Sequence, residues 1–199
     1  MKRRPLPLRL AACALLALLL PAAHATTVIA PRFDRMVGSA DYVVRATVKA
    51  VTSEWRDNPD KPGQRYIGSR VELNVLEVIK GNPPNPLVLD LVGGRVGDEE
   101  LTIDGMPRFQ VGEENILFVK DNGRSVIPLV GMMYGKYTVR RDKRTGRNEI
   151  LRHTGDALYS EQEISLSPAA AKAARNANAA PLTASDFAAR IRRAKPTAP

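Results

Sequence analysis

Hydrophobic and polar positions alternate through much of the chain. Val44, Ala46, Val48 and Ala50 alternate with Arg45, Thr47 and Lys49 between Tyr42 and Val51, and a period of two marks a half-buried strand. A second strand is predicted from Tyr66 to Ile79. There Val71, Leu73 and Val75 oppose Glu72 and Asn74, and then the phase flips so that Leu76 and Val78 become the apolar set. Such a flip inside a continuous strand predicts a bulge or sharp bend near Val75-Leu76. Residues 56–64, with Asp57, Pro59, Asp60, Pro62 and Gly63, read as the loop between the two strands.

Further strands follow at short intervals. Leu87, Leu89 and Leu91 form one, stopped by Gly93-Gly94, and Leu101 to Ile103 is a short candidate closed by Asp104-Gly105. Ile116-Leu117-Phe118-Val119 is an unbroken apolar run, as expected of a strand buried on both faces. Asn122-Gly123 signals a two-residue hairpin turn leading to Val126-Ile127. Tyr137-Thr138-Val139 and Glu149-Ile150-Leu151 pair as a last hairpin across Asp142 to Arg147.

Helical spacing is confined to the two ends. Phe33, Met36, Val37 and Ala40 share one face of a short helix. From Pro168 to Ala180-Pro181 an Ala, Asn and Pro-rich stretch reads as a linker. Thr183 or Ser185 then caps a short helix through Arg193, with Phe187 and Ile191 on one face and Arg190, Arg192, Arg193 and Lys195 making it basic. The predicted fold is mainly β: a small OB-like barrel, closed or partly open, with a short N-terminal helix and a C-terminal helical tail. The barrel domain is assigned to residues 26–165 and the linker with its helix to residues 166–199.

The first 25 residues belong to none of this. Lys2, Arg3, Arg4 and Arg9 precede an uncharged run from Leu10 to Leu20, and Ala23-His24-Ala25 supplies small residues at a cleavage site. This is the pattern of a signal peptide cut after Ala25, which places the mature chain in the periplasm or outside the cell. The apolar run is shorter than the roughly 20 residues a spanning helix needs. Leu10-Ala11-Ala12-Cys13 has the composition of a lipidation box, but most of the apolar run follows Cys13 instead of preceding it. Removing the leader changes the electrostatics. The whole chain carries +9, with 30 Lys and Arg against 21 Asp and Glu; without Lys2, Arg3, Arg4 and Arg9 it carries +5. Cys13 leaves as well, so the mature chain has no disulfides and depends on its core.

Two stretches carry a likeness to known proteins. A short helix, the segment Ala40-Asp41-Tyr42-Val43-Val44-Arg45-Ala46-Thr47-Val48 and a strand ending Val78-Ile79-Lys80-Gly81 resemble the netrin-like module, the OB-type barrel of tissue inhibitors of metalloproteinases. Gly93-Gly94, the run from Gly105 to Glu114, and Leu117-Phe118-Val119 resemble a group of exported bacterial proteins. The resemblance implies the barrel. It does not carry over an inhibitory residue, because the inhibitors bind zinc through an N-terminal cysteine, whereas the mature chain would begin at Thr26 and has no cysteine.

Candidate chemistry is sparse, and no cofactor or metal is expected. His153 is the one imidazole of the mature chain, without the partners of a triad or zinc site. Asp98-Glu99-Glu100 and Asp104 form an acidic loop whose spacing departs from calcium-binding loops; a calcium site and a solvated loop both remain open. Gly93-Gly94 and Gly97 lack the following Lys-Ser/Thr of a phosphate cradle. Arg140, Arg141, Lys143, Arg144 and Arg147 crowd one turn, opposed only by Asp142. They and Trp55 form the candidate interaction surface, for a protein partner or for an anionic surface such as lipid headgroups or polysaccharide. Nucleic acid is disfavoured, since aromatic residues make up only 5% of the chain and single strands are held by stacking. The expected function is an exported, non-enzymatic binding module. The alternatives are an inhibitor or chaperone of a secreted metallopeptidase, and a hydrolase working through carboxylates alone.

Overall fold

The computed structural model describes residues 30–58, 61–176 and 178–194. The leader, its cleavage site, Cys13, Thr26 and Lys195 lie outside them. The elements are α1 (Phe33–Ser39), β1 (Tyr42–Asp57), β2 (Arg65–Lys80), β3 (Leu87–Val92), β4 (Gly94–Val96), β5 (Glu99–Leu101), β6 (Glu114–Val119), β7 (Lys136–Arg141), β8 (Asn148–Leu151), α2 (Pro168–Ala174) and α3 (Ala184–Arg193). Short 3-10 turns cover Met132–Gly135 and Glu161–Ser165. The protein is mainly β.

Six strands form one antiparallel sheet in the order β3-β2-β1-β6-β7-β8, and β4 and β5 form a separate ribbon. Of the two forms expected, closed or partly open, the closed barrel does not form, because among the described residues the outer strands β3 and β8 do not pair with each other. Irregular chain covers their edges. Val92 N–H donates to Val126 O at 3.1 Å and Asn122 Nδ2 to Val88 O at 3.0 Å, beside β3. Ile150 N–H donates to Leu182 O at 3.0 Å and Leu158 N–H to Ile150 O at 2.8 Å, beside β8. Val126-Ile127, expected as a strand, belongs to this irregular cover; Asp121 at φ 55° starts a turn there and Pro128 has no N–H for a ladder.

The long β1–β2 hairpin bends at the position where the phase flips. Arg45 faces Glu77 and Ala46 faces Val75, so the register skips Leu76. It also skips Ile79 and, on the other strand, Lys49. Each bulge adds local twist. The first part of β1, Tyr42 to Thr47, also pairs with β6, while the rest runs on beside β2. Trp55 therefore lies within β1, opposite Ile67, and not beyond its end.

Each face of the sheet carries an apolar cluster. On one face, Val43, Ile116, Phe118, Tyr137 and Ile150 pack with Met36 and Val37 of α1 and Phe187, Ala188 and Ile191 of α3. The Phe187 ring centroid lies 4.9 Å from Tyr137 and 6.1 Å from Phe118. The other face gathers Val44, Ala46, Val48, Val71, Leu73, Leu89, Leu91, Leu117 and Val119. Alternate residues of β6 thus serve opposite clusters, which is why its sequence is unbroken by polar residues. Each such buried side chain contributes about 1.5–3 kcal/mol relative to exposure.

The C-terminal segment completes the first cluster. Thr183 caps α3 by accepting from Asp186 N–H at 3.1 Å, and the Asp186 carboxylate accepts from Thr183 N–H at 3.2 Å. That reciprocal box fixes where the helix starts. The stretch read as a linker contains α2, capped by Ser167 with Pro168 in its first turn and built from alanine, the residue with the highest helix propensity. Arg175 just beyond it pairs with buried Glu163 through two bonds, Nε to Oε1 at 2.9 Å and Nη2 to Oε2 at 3.0 Å. Lys80 Nζ donates to Val37 O at 2.5 Å and Ala40 O at 2.6 Å, tying β2 to the end of α1.

Candidate functional site

The basic turn joins β7 to β8. Asp142 Oδ1 accepts from Thr145 N–H at 2.6 Å, Thr145 Oγ1 at 2.8 Å and Arg144 N–H at 3.0 Å. These bonds, led by the Thr145 backbone, hold the Asp142 carboxyl below its ordinary range. Gly146, at φ 69°, closes the turn and donates to Asp142 O at 2.8 Å. The one acid of the turn is thus committed to the turn's own hydrogen bonds.

The surrounding cations are differently placed. Arg140, Arg141, Lys143 and Arg144 are exposed and Arg147 is half-buried. Arg140 Nη2 stands 4.0 Å from Glu149 Oε2, a buried carboxylate. Arg147 Nη2 donates to Pro181 O at 3.2 Å, which anchors the turn to the segment before α3. Arg141 and Lys143 form no ion pair among the described residues. Arg140, Arg144 and Arg147 line a groove of about 450 Å³ with Tyr159, Ala180 and Pro181. Trp55 does not line it. Trp55 sits in the β1–β2 arm with the Arg65 guanidinium 5.6 Å from its ring centroid, so the structure brings the five cations together and leaves Trp55 in a different region.

The expected acidic loop is divided: Asp98 lies in the turn of the β4–β5 ribbon, Glu99 and Glu100 are paired residues of β5, and Asp104 follows in a separate turn. Glu100 accepts from Arg95 Nη2 at 2.8 Å, from Thr102 Oγ1 at 3.1 Å and from Arg108 Nη2 at 3.4 Å. Arg95 leads in holding its carboxyl below the ordinary range. Among the described residues no three His, Cys, Asp or Glu side chains gather as a metal ion would require. His153 lies edge-on to Tyr134, with centroids 4.8 Å apart. Desolvation, then the charge of Arg152, lowers its pKa. It lines a cleft of about 460 Å³ with Arg108, Glu113, Lys136 and Arg152. There Glu113 accepts from Lys136 Nζ at 2.9 Å and from Thr138 Oγ1 at 3.0 Å.

A smaller cleft was not foreseen in the sequence. It lies between the ribbon and the β1–β2–β3 part of the sheet, has a volume of about 240 Å³, and is lined by Val51, Val71, Leu91, Leu101, Ile103 and Phe109 among others. Ser53 and Ser69 face each other in register at its base. Ser69 Oγ donates to Gly93 O at 2.6 Å, so the 2.9 Å contact between the two hydroxyls is a donation from Ser53 to Ser69. Gly94 rests directly on this pair, since a Cβ there would lie 2.3 Å from Ser69 Oγ and 2.4 Å from Ser53 Oγ. Two serines on an otherwise apolar strand face were the available signal.

No helix among the described residues is long and apolar enough to cross a membrane. Compared with known proteins, the chain matches no protein-family profile, and none of the curated proteins is similar enough to count as a relative.

Proposed function

We propose that this is an exported, non-enzymatic binding module on an OB-like, incompletely closed scaffold, and that its β7–β8 turn engages an anionic surface. The observation that carries the reading is the excess of positive charge at the turn. Arg140, Arg141, Lys143 and Arg144 are exposed, and the acids opposed to them are Asp142 in the turn and Glu149, 4.0 Å from Arg140, so a net positive charge stands at one exposed site. Phosphate, carboxylate and sulfate groups are the ligands guanidinium recognises best. Arg147, held on Pro181, braces the turn from behind. The basic leader ending at Ala25 supports a place outside the cytoplasm. The strand order β3-β2-β1-β6-β7 supports the OB-like scaffold. Binding is favoured over catalysis because the carboxylates near the clefts are paired with cations, Glu113 with Lys136 and Glu100 with Arg95.

The test is co-sedimentation with vesicles, one set containing phosphatidylglycerol and one purely zwitterionic, alongside retention on a sulfated polysaccharide. Binding is expected to the anionic vesicles, the glycan or both, which distinguishes the source of the anionic groups. It should weaken steeply with salt and disappear when Arg140, Arg141, Lys143 and Arg144 are all changed to Gln, with Asp142, Thr145 and Gly146 kept to preserve the turn. Binding that survives those changes, equal binding to zwitterionic vesicles, or no binding to any of the three would overturn the reading.

A further inference from the structure

We propose that the cleft beneath the β4–β5 ribbon binds a small amphiphile, with an apolar body against the sheet and a carboxylate between Arg95 and Arg108, in the place Glu100 occupies. Size comes first. The space is about 240 Å³, many times the roughly 10–15 Å³ that a single water needs, so it admits a small ligand. Lining chemistry comes second. Val51, Val71, Leu91, Leu101, Ile103 and Phe109 supply an apolar wall. Both hydroxyl hydrogens at the base are already used, Ser53 on Ser69 and Ser69 on the Gly93 carbonyl, so the serine pair has no hydrogen left to donate to a ligand carboxylate, which belongs at the mouth.

The mouth asks for an anion. Arg95 and Arg108 converge on one carboxylate, that of Glu100, and both line the cleft with it. Their side chains are 66% and 77% exposed. Exposed pairs of this kind are weak and yield to a competitor, particularly one whose body gains from leaving water. Glu100 is in effect a resident ligand for the two guanidiniums. The ribbon that carries it is only three residues per strand, and two-stranded ribbons of that length hold shape only against a support. Its root is fixed by the Gly94–serine contact and by Gly93 N–H donating to Ile67 O at 2.8 Å. Its tip at Gly97, where an added Cβ would meet nothing within 4 Å, is open. The root holds the cleft in place while the tip leaves room for the exchange at Glu100.

The probe is octanoate, titrated calorimetrically into the full chain at neutral pH and low salt, with 1-octanol as the neutral comparison. Saturable octanoate binding is expected, with octanol at least tenfold weaker. Glu100→Gln removes the competitor and should tighten octanoate at least threefold. Arg95→Gln combined with Arg108→Gln should weaken it at least tenfold and leave octanol unchanged. Val51→Trp fills the cleft from its exposed side and should abolish both, with circular dichroism confirming an intact sheet. No saturable binding to the wild type or to Glu100→Gln at millimolar octanoate overturns the proposal, as does an affinity indifferent to the two arginines. The site is separate from the β7–β8 turn, so the Gln substitutions that test the turn should leave octanoate binding unchanged.

Discussion

The two faces of the sheet are built from the same strands and finished in different ways. One is closed by helices. Phe187, Ala188 and Ile191 of α3 and Met36 and Val37 of α1 lie over it, and the rings of Phe118, Tyr137 and Phe187 interlock. The other holds nearly as many buried aliphatic residues, yet it is covered by the ribbon and by loops bearing Met106 and Phe109. Val51, Val75 and Val78 remain partly exposed, at 37%, 37% and 46%. Helices bring a continuous apolar stripe, whereas loops bring isolated side chains and leave gaps between them. The clefts beneath the ribbon and beside β2 are such gaps. The face closed by helices secures the fold, and the face covered by loops is where a ligand has room.

This contrast can be broken by mutation. Phe187→Ala should cost the most, about 3–5 kcal/mol, because three rings lose their shared partner and α3 loses its anchor. At roughly 2–4 °C per kcal/mol for a chain of this size, thermal denaturation should show a drop on the order of ten degrees. Leu89→Ala, equally buried on the opposite face, should cost about 2 kcal/mol, the low end for such a truncation, because loops can settle into the space. A loss at Leu89 matching that at Phe187 would erase the distinction. Thr183→Ala should cost about 1 kcal/mol and should also flatten the acid side of the stability profile. The folded-state pKa of Asp186 is depressed, chiefly by Thr183, so its contribution is present above the unfolded value and is lost as pH falls through the folded one. His153 acts in a higher window. Its folded pKa is also depressed, so the unfolded chain binds the proton first and stability begins to fall as pH drops through about 6.5. Denaturant melts of His153→Gln should lack that step. Leu76→Ser, on a bulge that is 54% exposed, should change stability by no more than about 0.5 kcal/mol.

What the sequence disclosed was whatever has a period. Alternation located β2 to within a residue at each end and the start of β1, but not the continuation of β1 from Thr52 to Asp57, whose last two residues were read as loop; the phase flip located the bulge at Leu76, and the unbroken run at Ile116 to Val119 announced a strand buried on both sides. The cap, being local, was narrowed to Thr183 or Ser185, and the box with Asp186 decides for Thr183. Three-residue strands are too short to show a period, so Gly93-Gly94 was read as a stop, although the missing Cβ of Gly94 is what lets β4 lie on Ser53 and Ser69. The edges of the sheet were equally hidden, since their cover depends on residues far apart, such as Ile150 with Leu182 and Val92 with Val126. For the candidate surfaces, the basic turn is contiguous and was visible, whereas the ribbon cleft draws its walls from β1, β2, β3 and the segment from Leu101 to Phe109. Nothing in the sequence indicated that Trp55 and the turn would occupy different regions.

The position of Phe187 also governs timing. β1 and β2 meet across the short loop between Asp57 and Arg65, and the β7–β8 turn closes locally as well. The rings of Phe118 and Tyr137, by contrast, wait for a partner that follows them by dozens of residues. Contacts between residues distant in sequence form late and slow the overall reaction. A chain delivered N-terminus first therefore assembles its hairpins early, but keeps the part of that face beneath α3 wet until residue 187 arrives, so sealing it is among the last events of folding.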